Sequence, residues 1–160
     1  MLGYLSIGSN IGNRKKYLEN ALSELTLRKI NILKKSSIYE SLPFETDDFQ
    51  GNYLNMAVMV SFDMGPFALL KDCLDIENKL GRIRPYRHAP RTLDIDILMV
   101  EHIFIRTDVL ILPHPGIEKR AFVIWPLGEI SPDMLLPSGR YIREVKESLK
   151  DSENLNIWKI

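Results

Sequence analysis

An α+β fold is predicted: a ferredoxin-like β-α-β-β-α-β antiparallel sheet with helices packed on it (an α/β sandwich), followed by a C-terminal extension. Three observations carry this. Residues 53–62 alternate, with Leu54, Met56, Val58, Val60 and Phe62 on one side and Tyr53, Asn55, Ala57, Met59 and Ser61 on the other, which is the strand period. Two stretches repeat at helical spacing, Leu18-Ala21-Leu22-Leu25 and Leu70-Cys73-Leu74-Glu77-Leu80, as a half-buried helix requires. The order of elements over the first 100 residues is that of the split βαβ unit, with two helices on one face of the sheet.

Each element has a local reason. Gly3 to Gly8 reads as a short strand, and the loop Ser9 to Asn13 leads into the first helix, with Asn13 placed to cap it. Ile30 to Tyr39 is rich in β-branched residues and reads as one strand, and Ser41 to Gly51 is a loop containing Pro43. The alternating strand follows. Gly65-Pro66 opens the second helix and Gly81 ends it. Residues 82–92 are loop-like, with Pro85 and Pro90, and Leu93 to Val100 is a strand. Glu101-His102 turns the chain, Pro113 to Gly116 forms a punctuated loop, and Phe122 to Leu127 includes a short helix. Met134 to Ile142 reads as a small hairpin and Ile142 to Leu149 as a last helix.

The chain has 160 residues and a mass of 18.5 kDa, which suits a single domain spanning residues 1–160. Lys plus Arg and Asp plus Glu are 21 each, so the net charge is zero. That balance argues against a duplex nucleic-acid binder, which usually carries a basic excess. The single Cys73 cannot form an internal disulfide and fits a reducing compartment. With no basic, apolar leader and no apolar run near 18 residues, a cytoplasmic monomer without a membrane partner is expected.

The charge balance hides a local excess. From Lys79 to Arg91 there are five full positive charges (Lys79, Arg82, Arg84, Arg87 and Arg91), with His88 among them and no acid beyond Lys79. Asp94-Ile95-Asp96 follows at once. On a strand, residues two apart leave the same face, ~6.5–7 Å apart along the backbone. Two such carboxylates repel unless a cation lies between them. Hard oxygen ligands suit Mg²⁺, which keeps positions for phosphate oxygens, and arginine forks match phosphate. The combination is coherent for Mg–nucleotide, although a solvated basic loop beside an edge strand has the same composition. Walker, G-x-G-x-x-G and zinc-ligand spacings are absent from the sequence. Tyr53 can stack on a planar ring and Asn55 offers a donor and an acceptor to a heterocycle edge; cross-strand packing is the plainer account of both. His114, between two prolines, is placed to touch phosphate, polarise a leaving oxygen or cap a turn.

Arg87-His88-Ala89-Pro90-Arg91-Thr92-Leu93-Asp94-Ile95-Asp96-Ile97-Leu98 resembles the signature of the 6-hydroxymethyl-7,8-dihydropterin pyrophosphokinases of folate biosynthesis. Leu5 to Asn10, Tyr53-Leu54-Asn55, Glu77, Leu112 to Pro115 and Arg120 to Leu127 extend the resemblance along nearly the whole chain. The resemblance implies transfer of the β,γ-diphosphoryl group of ATP to the hydroxymethyl group of the dihydropterin, releasing AMP. It implies two Mg²⁺ ions on Asp94 and Asp96, with Arg82 and Arg91 as catalytic arginines. Glu77 and Ile97 would line the nucleotide site, and Arg84, Arg87, His114 and Arg120 would engage phosphates. Tyr53 and Phe122 would sandwich the pterin, with Asn55 on its edge and Ser41, Leu42 and Phe44 contributing from the first loop. His88 stands where some members carry Trp, Glu45 where Gly is common, and Val109 where some carry Arg. Two other readings have a basis in the residues. The Arg-rich loop with Tyr86 suggests a single-stranded RNA module on an aromatic sheet, and the three departures suggest a pterin and ATP binder without catalysis.

Overall fold

The computed structural model describes residues 1–43, 50–82, 89–150 and 157–160. In chain order the elements are β1 (Leu2–Ser9), α1 (Arg14–Leu27), β2 (Asn31–Lys35), β3 (Tyr39–Ser41), β4 (Tyr53–Ser61), α2 (Pro66–Lys79) and β5 (Asp94–Val100). Then come β6 (Ile105–Arg106), β7 (Ile111–Leu112), α3 (Ala121–Ile130), α4 (Ile142–Lys150) and β8 (Ile157–Lys159). The main sheet has the order β5-β1-β4-β3-β8, with β2 also pairing β4, and every pairing is antiparallel. β6 and β7 form a separate ribbon. The expected α+β fold class is therefore present, with additions.

The predicted caps are seen. Asn13 Oδ1 accepts from the Lys16 amide at 3.1 Å, and Gly81 takes a φ of +82°, open to glycine. The face predicted for α2 is rotated. Leu69, Cys73, Ile76 and Glu77 are its buried residues, whereas Leu74 is 40% exposed. The expected single strand from Ile30 to Tyr39 is broken into β2 and β3. Ser36 lies between them and closes both bonds to Ala57 itself: its amide donates to the Ala57 carbonyl, and its Oγ accepts from the Ala57 amide. A hydroxyl that replaces a ladder carbonyl interrupts the strand.

Helices cover both faces of the sheet, not one. Below lies the main core, where Leu5, Ile7, Leu54, Met56, Val58 and Val60 meet Leu18, Leu25, Leu69 and Ile76 of α1 and α2. Above, Ala57 and Leu98 pack against Val123, Ile124 and Leu127 of α3, which in turn meet Ile142 and Val145 of α4. The side of β4 read as polar is thus buried at Asn55 and Ala57 and partly buried at Met59, where the apolar upper layer lies on it. The RNA reading needs a broad open sheet face, whereas the lower face is packed and α3 and α4 lie over the upper one beyond the Gly8 row. β8 was not foreseen. It adds three residues to the edge of β3, with Tyr39 opposite Lys159 and Ser41 opposite Ile157.

Candidate active site

The register of the sheet assembles the site. Directly opposed residues of antiparallel strands share a face. Asp94 on β5 lies opposite Gly8 on β1, and Gly8 lies opposite Asn55 on β4. One row nearer the middle, Asp96, Ser6 and Ala57 line up in the same way. Ser41 opposes Tyr53. Since Ala57 and Leu98 face α3, so do Asp94, Asp96, Tyr53, Asn55 and Ser41. The upper face therefore carries two carboxylates on one side and an aromatic ring, an amide and a hydroxyl on the other. Between them is a glycine floor two strand spacings wide, roughly 10 Å.

Gly8 keeps that floor low. A Cβ there would come within 3.1 Å of Asn55 Oδ1. Asn55 is 3% exposed and donates from Nδ2 to Ser41 Oγ at 2.9 Å, leaving its carbonyl oxygen toward Gly8. The Tyr53 hydroxyl donates to Gln50 Oε1 at 3.3 Å. Leu42 is 43% exposed beside this edge.

On the other side, arginines hold the carboxylates. Arg82 is buried and pairs with both Glu77 and Asp94, the latter at 2.7 Å. Glu77 is equally buried, and its Oε1 accepts from the Ile95 amide at 2.7 Å. Burial raises the Glu77 carboxyl above its usual range, and the Ile95 amide and Arg82 offset only part of that rise. Glu77 is therefore an anchor that ties α2 to the start of β5, and it reaches the cleft only through Arg82. Arg91 Nη1 meets Asp94 Oδ2 at 2.8 Å. Burial works against the Arg91 charge, and Asp94 and Tyr53 outweigh it. Asp96 sees Arg120 Nη1 at 3.9 Å and is about a third exposed. Burial first, then the charge of Asp94, raises the Asp96 carboxyl well above the usual carboxylate range.

The third wall comes from the 113–122 segment. His114 Nδ1 accepts from the Gly116 amide at 3.0 Å, so a neutral imidazole carries its proton on Nε2. Burial and the nearby Arg120 lower the His114 pKa. Gly116 has no side chain for a reason: a Cβ would lie 2.8 Å from Arg120 Nε and 3.1 Å from His114 Cε1. The Arg120 guanidinium sits 5.8 Å from the centre of the Phe122 ring, within cation–π range. Arg120 and Phe122 thus enter the site together from the first turn of α3.

One expected site residue has its side chain on the other face of the sheet. Ile97 is 4% exposed and packs into the lower core, on the opposite face from Asp94 and Asp96. Phe44, Arg84 and Arg87 lie outside the described residues, as do Glu45 and His88. Val109 is exposed in the turn of the β6–β7 ribbon. Sequence reasoning passed over Asn10. Its Oδ1 accepts from the Arg91 amide at 2.8 Å and its Nδ2 donates to Gln50 Oε1 at 3.0 Å. It therefore joins the arginine wall to the tyrosine wall. Its signals were a polar residue next to a glycine turn and its place at the end of the Leu5 to Asn10 motif.

Among the described residues no group of three or more His, Cys, Asp or Glu gathers as a metal cage. Asp94 and Asp96 form a two-carboxylate donor set on one face. Such a pair fits Mg²⁺, which takes one or two protein carboxylates and fills the rest of its shell with phosphate and water.

Residues 4–132 match the family described as 7,8-dihydro-6-hydroxymethylpterin-pyrophosphokinase (HPPK). The chain belongs to this family. It is 40% identical over 159 residues to the 2-amino-4-hydroxy-6-hydroxymethyldihydropteridine pyrophosphokinase of Bacillus subtilis strain 168, over 99% of this chain and 90% of that one. Its identity to the protein of the same name from Methylorubrum extorquens is 39%, over 93% and 94% of the two chains. The fold is also similar to solved HPPK-DHPS structures. One in complex with substrates has a TM-score of 0.74 at 15% identity, over 99% of this chain and 46% of that one. The wild-type protein of Plasmodium falciparum has a TM-score of 0.73 at 14% identity, over 99% and 44%. This HPPK chain spans less than half the length of those chains, and at such identity they bear on the fold alone. No helix among the described residues is long and apolar enough to cross a membrane.

Proposed function

We propose that this cleft runs the HPPK reaction and that residues 1–160 work as one catalytic unit. The hydroxymethyl oxygen of 6-hydroxymethyl-7,8-dihydropterin attacks the β-phosphorus of ATP, and the bond from that phosphorus to the AMP oxygen breaks. AMP leaves and the hydroxyl proton is lost. The observation that supports this most is the single sheet face shared by Asp94, Asp96, Tyr53 and Asn55 across the bare Gly8 floor. A flat heterocycle fits between the Tyr53 and Phe122 rings with its edge on Asn55. A polyphosphate fits the cationic wall of Arg82, Arg91 and Arg120, with the neutral His114 beside it as a donor.

Asp94 and Asp96 would hold two Mg²⁺ ions. When bound, these supply charge neutralisation for the phosphate oxygens. The protein's own part is positioning and electrostatics, the main source of rate in phosphoryl transfer. Arg91 is fixed by Asp94, and Arg82 by Asp94 and Glu77, so their positive ends are set before ATP arrives. His114 stays neutral near pH 7 and presents its Nε2 proton as a donor. The proposal is tested by incubating the protein with ATP, Mg²⁺ and the dihydropterin and measuring AMP. Stoichiometric AMP and dihydropterin diphosphate are expected. ADP as the nucleotide product, or retention of single-stranded RNA on a filter in place of turnover, would refute it.

A further inference from the structure

Arg14 sits where its helix disfavours it. It is the first residue of α1, Lys15 and Lys16 follow, and the first turn holds no acid. A cation there meets the positive end of the helix dipole. The guanidinium reaches across to the sheet instead. Its Nη1 donates to Glu40 Oε1 at 2.8 Å and to the Asn52 carbonyl at 2.7 Å. Glu40 is the residue before Ser41 on β3, and Asn52 is the residue before Tyr53 on β4. Ser41 and Tyr53 are cross-strand partners, and Ser41 accepts the amide of Asn55. One nitrogen thus joins the Glu40 side chain on β3 to the Asn52 backbone carbonyl just before β4, each next to a residue that faces the heterocycle on the proposed reading. The Arg14 bond holds the Glu40 carboxyl below its usual range, with the Trp158 and Asn52 side chains adding to it.

On the reading of the site given above, we propose that Arg14 is a positioning residue for the pterin subsite. It fixes the spacing of Ser41 and Tyr53, so that the Tyr53 ring and the Asn55 amide are set before the heterocycle binds. The Arg14 and Glu40 side chains are 31% and 19% exposed, so the pair adds little to global stability. Its consequence is local and one-sided, because neither Glu40 nor Asn52 touches the arginine wall.

Arg14→Ala and Arg14→Lys test this. Both bonds leave one nitrogen, so an ammonium with three donors can make both. Arg14→Ala is expected to raise the KM for the dihydropterin about tenfold, the worth of one charge-assisted hydrogen bond. The KM for ATP and the melting temperature should change little, and Arg14→Lys should restore the dihydropterin KM. Independently of activity, amide exchange at Ser41, Leu42 and Tyr53 should accelerate in Arg14→Ala and recover in Arg14→Lys. Unchanged exchange, or a KM that moves equally for both substrates, overturns the clamp. Accelerated exchange in a protein whose wild type turns over no dihydropterin faults the proposed function and retains the clamp.

Discussion

Arg82 and Arg91 look alike in the sequence and differ in the folded protein. Arg82 is almost fully enclosed by Glu77 and Asp94, whereas Arg91 keeps a fifth of its side chain in solvent. On the proposed function, removing either takes a fixed positive charge from the wall that would hold phosphate, and kcat should fall by on the order of 10²–10³ in each alanine variant. Only Arg82→Ala strands a buried carboxylate, Glu77, which costs roughly 3–5 kcal/mol. Thermal melts of the two variants should therefore separate them, with Arg82→Ala much the less stable. Equal melting temperatures would mean that Glu77 finds another partner. His114 gives a pH prediction. Its folded pKa lies below the ordinary 6.5, so the folded state binds its proton less readily than the unfolded chain. The stability linked to it is complete above about pH 6.5 and is lost as the pH falls through the lowered value. Melting temperatures from pH 7 to pH 5 should fall more for the wild type than for His114→Asn, and parallel slopes would contradict this.

At the scale of elements, α3 joins the upper core to the site. Arg120 and Phe122 enter the cleft from its first turn, and Val123, Ile124 and Leu127 hold it on the sheet. Leu127 is completely buried, so Leu127→Ala should cost about 2–5 kcal/mol and raise the KM for the dihydropterin by loosening Phe122. Chemical denaturation and steady-state kinetics on the same preparation measure both. α3 also shows what the sequence made legible. Its existence followed from the apolar run around Phe122 to Leu127, but its destination did not. Nothing local says that Ala57 and Met59, small and flexible residues among polar neighbours, would lie under a helix. The broken strand at Ser36 was hidden for a similar reason. β-branched neighbours argued for continuity, and only the long-range partner Ala57 lets the Ser36 hydroxyl substitute for a ladder bond. β8 is too short to signal itself without β3 beside it.

For the whole molecule, the zero net charge is a cancellation arranged in space. The Asp94–Asp96 pair was legible because the strand period alone puts both carboxylates on one face. What Tyr53 and Asn55 could offer a ligand was legible only as chemistry. Their distance from the carboxylates depends on β1 lying between β4 and β5, a topological fact that no local pattern carries. Glu77, expected to line the nucleotide site, is buried beside Arg82, and such burial cannot be read from a helical repeat. The account's central claim is that this face, with Asp96 on it, transfers diphosphate. The most direct test is AMP formation from ATP, Mg²⁺ and 6-hydroxymethyl-7,8-dihydropterin by the wild type and by Asp96→Ala, with folding of both checked by circular dichroism. The account predicts dihydropterin-dependent AMP release by the wild type and none above background by the folded variant. Near-normal AMP release by Asp96→Ala would contradict it.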